Sequence, residues 1–239
     1  MATETQQHPL TAGTVTISRN GNHQYSVDDG PKMRSVTSLV KHVEGDTFGI
    51  GLNWALKAAR EHGGDLDAPR RVSKEALDSG VQLHAAVDTY IKRGTITEDR
   101  VFMAWYNALG NESWLASEVF LVHPTLHYGG TADALAFNVH SGITLYDWKT
   151  VDQNSWQKYG CTLRINKDSA QLAAYASALT AMGSAYAPTR GCIAYVMRDG
   201  SGVEVVEADL ERGERLFQAS RSLYLMAEDQ RSDNSHLPL

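Results

Sequence analysis

One stretch in the middle of the chain, residues 114–150, constrains the fold more than any other. WLASEVFLVHP (114–124) and YGGTADALAFNV (128–139) are dense in β-branched, aromatic and small apolar residues, and ITLYDWKT (143–150) follows the turn His140-Ser141-Gly142. Each segment reads as a strand. Connections this short cannot carry the crossover that parallel neighbours need, so the three must run as an antiparallel meander.

The flanks have a different period. Residues 13–28, GTVTISRNGNHQYSVD, alternate around Asn20-Gly21 and predict a hairpin. Leu52, Ala55, Leu56 and Ala59 recur at helical spacing until Gly63-Gly64. A second helix is expected from Ser73, as N-cap, to Lys92, with Leu77, Val81, His84 and Ile91 near one stripe, and a third over 98–109 before Gly110. Beyond the meander come an alanine-rich helix (168–182, capped near Asp168 or Ser169), strands at 191–198 and 202–208, and a helix over 210–228. The intervening segment 151–167 reads as a long polar loop. The expected class is α/β: a mixed central sheet containing the meander, flanked by helices. The expected organisation is one domain over 1–239, with 30–112 a helical elaboration, 113–228 the core, and 1–12 and 230–239 disordered.

Composition excludes several functions. With 239 residues, 42% hydrophobic, the chain can bury a full core. No apolar run reaches membrane-span length and MATETQQHPL lacks a signal peptide's basic and apolar regions, which predicts a cytoplasmic protein with no membrane partner. Two cysteines, Cys161 and Cys192, cannot hold an iron–sulfur cluster. There is no GxxxxGK[ST] loop, hence no expected nucleotide cofactor, and no G-x-S-x-G nucleophile elbow. A net charge of −6 is compatible with nucleic-acid chemistry, because a metal site gathers carboxylates while a basic groove can remain local.

The residues that can carry chemistry sit on the meander. Strand alternation puts Asp147 and Lys149 on one face and Trp148 on the other. Pairing through the turn brings Asp133, fourteen residues earlier, alongside Asp147. Two carboxylates and an ammonium at a sheet end suit phosphodiester hydrolysis: Mg2+ or Mn2+ held by carboxylates neutralises the phosphate and activates water, while a lysine positions that water. The Trp148 backbone carbonyl can complete an oxygen-rich shell. A lone D-x-K on a strand equally describes a solvated ion pair.

Order adds what the pair lacks. His84 in a helix, Glu118, GTADAL with Asp133, LYDWKT with Asp147 and Lys149, then Gln171-Leu-Ala-Ala-Tyr175 resemble the motif series of RecB-type nucleases of the PD-(D/E)XK superfamily, over about 75–180. That group has a restriction-endonuclease-like core and includes the CRISPR adaptation exonuclease, whose cluster cysteines are missing here, and single-domain phage relatives. The resemblance implies a metal-dependent DNA exonuclease of recombination, repair or replication, in the host cytoplasm if phage-encoded. It implies Asp133, Asp147 and Lys149 as catalytic residues and His84, Asp133, Asp147 and the Trp148 carbonyl as metal ligands, with Glu118 a further candidate. Gln171 and Tyr175 would contact DNA or buttress the metal strands. Arg164 and Trp156, with Lys158, Lys167 and Tyr159 nearby, are candidate DNA contacts. The implied partners are DNA (linear or single-stranded ends), a separate helicase or recombinase, and a second copy of the chain in a homo-oligomer. A structure-specific endonuclease and a catalytically silent nuclease-fold binding protein are the alternatives. From the residues alone, His84 also reads as a bonded core histidine, Glu118 as a structural carboxylate, and Gln171/Tyr175 as a packed helix face.

Overall fold

A computed structural model describes residues 3–10, 13–28, 30–43, 50–162 and 164–233. In chain order the elements are β1 (Glu4–Leu10), β2 (Gly13–Arg19), β3 (Tyr25–Val27), β4 (Arg34–Ser35), α1 (Val36–Leu39), α2 (Ile50–Glu61), α3 (Ala68–Arg93), α4 (Arg100–Leu109), β5 (Trp114–His123), β6 (Tyr128–Asn138), β7 (Gly142–Val151), α5 (Gln153–Tyr159), α6 (Ile165–Ala181), β8 (Arg190–Met197), β9 (Val203–Glu207) and α7 (Leu210–Asp233). The fold is mixed α/β, as expected. A six-stranded sheet holds the β5-β6-β7 antiparallel meander, β8 parallel to β7 after the α5–α6 crossover, β9 antiparallel to β8, and β4 parallel to the start of β6. The small antiparallel sheet β1-β2-β3 lies beside it.

Side-chain alternation along β7 sorts the core into two layers. Leu145 and Val151 join a cluster with Leu172, Ala174 and Leu179 of α6 and Phe217 of α7. Tyr146 and Trp148 join the other, with Leu83 and Val87 of α3 and Phe102 and Trp105 of α4. By the same alternation Asp147 and Lys149 project toward α6. The second layer is a web of rings, with Trp105, Trp114 and Trp148 all within 5.7 Å of one another between centroids.

Four expectations are corrected. Residues 4–10, expected to be disordered, form β1: ETQQHPL has no apolar alternation of its own and becomes a strand by pairing along the whole of β2. Helix α3 starts at Ala68, five residues before Ser73, with Pro at its first turn, where a missing N–H costs nothing. Leu77 and Val81 of the expected stripe are exposed; the helix packs through Leu83 and Val87 instead. Segment 151–167 is no open loop: Asp152 caps α5 by accepting from the Ser155 N–H, and α6 begins at Ile165. The expected disorder of the C-terminus falls, beyond Asp233, outside the described residues. No described helix is long and apolar enough to cross a membrane.

Candidate metal centre at the strand fork

The ladder between β6 and β7 runs from Asn138↔Gly142 to Ala134↔Tyr146 and stops. Beyond it the strands part, and β6 takes β4 as its neighbour at Tyr128 and Gly129. Asp133 stands at the parting. Its Oδ2 accepts the Trp148 N–H at 2.7 Å, so the carboxylate satisfies a buried backbone donor that the ladder no longer serves.

The gap admits groups from both sides of the sheet. Helix α3 lays Gly80, His84 and Asp88, one turn apart, along β7 and β5: a Cβ at Gly80 would touch Thr150 Oγ1 at 3.6 Å, and Asp88 accepts from Ser117 Oγ at 2.6 Å. His84 is thereby aimed at the fork. Its Nδ1 is 3.5 Å from Asp133 Oδ1 and 3.6 Å from Glu118 Oε1, and its Nε2 is 3.3 Å from the Trp148 carbonyl oxygen. One ligand atom from each of His84, Glu118 and Asp133 lies within 4.8 Å of the others.

Glu118 reaches this cluster by an unusual backbone. The pairs Ser117↔Ala134 and Val119↔Ala132 bracket it opposite Asp133, and its φ is +50°. A left-handed, non-glycine residue inside a strand costs on the order of 1–3 kcal/mol and persists only where its surroundings hold it.

Asp147 belongs to the α6 side of the fork. It is fully buried, with Lys149 Nζ 2.7 Å from Oδ2 and 2.9 Å from Oδ1. Gln171 Nε2 donates to Oδ1 at 3.1 Å and to the Tyr175 hydroxyl at 3.0 Å. Oδ2 has the ionic contact with Lys149 but no aligned donor. Asp168, one turn before Gln171, is buried too and accepts from Tyr195 OH at 2.9 Å.

Burial drives the electrostatics. It pushes the Asp133 carboxyl up, against the pull of His84 and Lys149, and pushes Asp147 up to about 6, with Lys149 opposing and Asp133 adding to the rise. Burial works against the His84 imidazolium, but Asp133 and Glu118 outweigh it and hold the group at about 9. Burial also works against the Lys149 ammonium, yet Asp147, Asp168 and Asp133 keep it above its ordinary value and charged. The donor set fits a divalent cation: ligand atoms of His84, Glu118 and Asp133 lie within 4.8 Å of one another, the Trp148 carbonyl lies against the other imidazole nitrogen, and the buried Asp147 Oδ2 has no aligned hydrogen-bond donor. Carboxylate and carbonyl oxygens suit Mg2+ and Mn2+, and the imidazole suits Mn2+ better.

The fork thus gathers His84, Glu118, Asp133, Asp147, Lys149 and the Trp148 carbonyl. Gln171 and Tyr175, expected to touch DNA or to buttress, are buried, and Gln171 bonds both Asp147 and the Tyr175 hydroxyl. Trp156 does not extend as a free stacking platform: its ring sits 4.5 Å from that of Tyr195 and its N–H donates to Glu204 at 2.9 Å. Arg164 is the residue before the first turn of α6, where its backbone carbonyl accepts from Asp168 N. Asp168, expected with Ser169 as one of two residues near the helix cap, lies inside α6. Its i, i+3 relation to Gln171 was the available signal that it shares the site-facing side of α6.

No family model and no curated protein matches the chain. Among solved structures it is similar to SSO0001 (16% identity, 79% of this chain and 74% of that one, TM-score 0.39). It is similar to LHK-Exo in complex with dAMP (13% identity, 83% and 89% covered, TM-score 0.40). A third is the alkaline exonuclease LHK-Exo from Laribacter hongkongensis (13%, 64% and 86%, TM-score 0.31). At these scores function has to rest on the geometry of the fork itself.

Proposed function

We propose that this chain is a divalent-metal-dependent DNA nuclease, acting as an exonuclease on DNA ends in recombination, repair or replication. The observation that carries the reading is the convergence, at one break in a β-ladder, of His84, Glu118, Asp133 and the Trp148 carbonyl with the Asp147–Lys149 pair. In this reading residues 113–228 form the catalytic core, and the preceding helices contribute His84.

His84, Glu118, Asp133 and the Trp148 carbonyl would hold the cation, with Asp147 Oδ2 as a further oxygen. When bound, a Mg2+ or Mn2+ ion neutralises phosphate charge and lowers the pKa of its water. Lys149 is charged and points from the Asp147 carboxylate, where an N–H can orient the attacking water and meet negative charge developing on the phosphate oxygens. Gln171 fixes the Asp147 rotamer, and Tyr175 fixes Gln171. Asp133 keeps β7 in place through the Trp148 N–H.

Linear DNA with Mg2+ or Mn2+ should release nucleotides, and EDTA should stop the release. Lys149→Ala and Asp147→Ala should each lower kcat by about 10²–10³-fold or more, the cost of removing one group that stabilises developing charge, with the fold retained by circular dichroism. Two variants that cut like wild type would remove the assignment. Cleavage of covalently closed circular DNA would replace the exonuclease by an endonuclease, and binding without cleavage under either metal would leave a silent scaffold.

A further inference from the structure

Strand β5 pairs with β6 along one side. On its other side, next to Glu118, a single side chain does the work of a strand. Gln6 of β1 donates from Nε2 to the Glu118 carbonyl at 2.6 Å, and its Oε1 accepts the Phe120 N–H at 2.8 Å. A carbonyl at one residue and an N–H two residues on are the pair that the N–H and C=O of one residue of a parallel neighbour would bind. Gln6 therefore brackets the left-handed region of β5, holding the peptide on either side of Val119 while Glu118 keeps φ at +50°.

The rest of the small sheet grips the same place. Arg19 of β2 donates to Thr131 Oγ1 at 3.2 Å, and its guanidinium lies 4.8 Å over the Phe120 ring. Tyr25 of β3 shares a hydrogen bond with Thr131 at 2.9 Å and meets the Phe120 ring edge-on. Phe120 and Thr131 are cross-strand partners. The small sheet thus clamps β5 and β6 next to the Glu118–Asp133 pair, on the backbone through Gln6 and on side chains through Arg19 and Tyr25.

We infer that Gln6 is a positioning residue for the Glu118 carboxylate, and that the N-terminal sheet serves as a brace for the cation-binding half of the fork. The inference rests on the metal-dependent reading above. Loss of the two Gln6 bonds removes the restraints on the backbone either side of Val119 and lets residue 118 relax toward ordinary strand geometry, which would turn its side chain away from His84 and Asp133. Outer partners that orient metal ligands are worth about 10–100-fold in metal affinity, and Gln6 should fall in that range.

The test is Mn2+ binding to the full-length, DNA-free protein, read by electron paramagnetic resonance of the free ion. Gln6→Ala should raise the Mn2+ Kd by about 10-fold or more, while Gln7→Ala, the exposed neighbour on the same strand, should leave it unchanged. Gln6→Ala should add nothing to a Glu118→Ala background, because its effect passes through Glu118. In cleavage, the Mn2+ concentration for half-maximal rate should rise by the same factor, with kcat at saturating metal little changed. Gln6→Met, which fills the space without the bonds, replaces alanine if that variant melts early. Wild-type affinity in both Gln6 variants, or an equal loss with and without Glu118, overturns the inference while leaving the metal site standing. A wild-type protein that binds no Mn2+ overturns the metal reading and this inference with it.

Discussion

Gly130→Ala tests how tightly the fork is coupled to α6. An alanine Cβ at this position would lie 2.4 Å from Tyr175 Cε1, 3.1 Å from Cδ1 and 3.3 Å from Cζ. Carbon pairs settle at about 3.5–4.0 Å, so the ring must retreat by roughly 1 Å. It has nowhere to go, being 3% exposed and packed in the larger core cluster. Overpacking of this kind costs about 1–3 kcal/mol, and a 2.4 Å contact belongs at the upper end; with the ~0.5–1 kcal/mol that alanine gains over glycine in a strand, the net loss is about 2 kcal/mol. For a chain of this size each kcal/mol lowers Tm by about 2–4 °C. The same retreat drags the Tyr175 hydroxyl from Gln171 and loosens the Gln171 bond to Asp147. Thermal denaturation and nuclease kcat should fall together. In a Tyr175→Ala background the space is free, and Gly130→Ala should become neutral or stabilising. Wild-type stability and activity in Gly130→Ala, or an equal loss without the ring, would refute the reasoning.

Further outcomes follow from two particular residues, His84 and Asp99. His84 sits at about 9, above its ordinary 6.5, because Asp133 and Glu118 outweigh its burial, whereas a metal-bound imidazole must be neutral. Mn2+ binding at pH 7 should release about one proton, and affinity should rise about tenfold per pH unit until pH reaches about 9; titration calorimetry in buffers of different ionisation enthalpy reads this, and no proton release would contradict it. Without metal the raised value stabilises the fold fully below pH 6.5, and that stability is lost as pH rises through about 9, a slope that His84→Gln should flatten in thermal melts. Asp99 caps α4 by accepting from Val101 N and Phe102 N, so Asp99→Ala should cost about 1 kcal/mol in urea denaturation, with kcat unchanged because α4 supplies no group to the fork.

The meander and the placement of its polar residues were legible because their signals are local. Strand alternation alone put Asp147 and Lys149 on one face, and the turn at 140–142 alone brought Asp133 level with them. The features that escaped depend on partners. ETQQHPL becomes β1 only against β2, so neither the strand nor Gln6 leaves a trace in the periodicity. Leu77 and Val81 keep helical spacing while pointing to solvent, since spacing says which residues share a face and not what covers it. The paired glycines Gly129 and Gly130 make room for the rings of Tyr25 and Tyr175, which nothing in the local sequence names as their neighbours. Segment 151–167 looked like a loop because α5 is short, although Asp152, three residues before Ser155, was its capping signal.

The placement of Asp147 and Lys149 two residues apart on β7 gives the fork an uneven tolerance to damage. Their Cα separation is set by the strand pleat at about 6.6 Å, whatever the rest of the molecule does. Asp133, Glu118 and His84 come from three other elements, and their convergence depends on how those elements dock. Moderate distortion that spares the Tyr175–Gln171 support of Asp147, by heat or loss of β1, therefore spreads the His84–Glu118–Asp133 trio while the lysine–carboxylate pair stays assembled. The two halves should fail in sequence: the demand for metal climbs first, and turnover at saturating metal collapses only when β7 itself leaves the sheet.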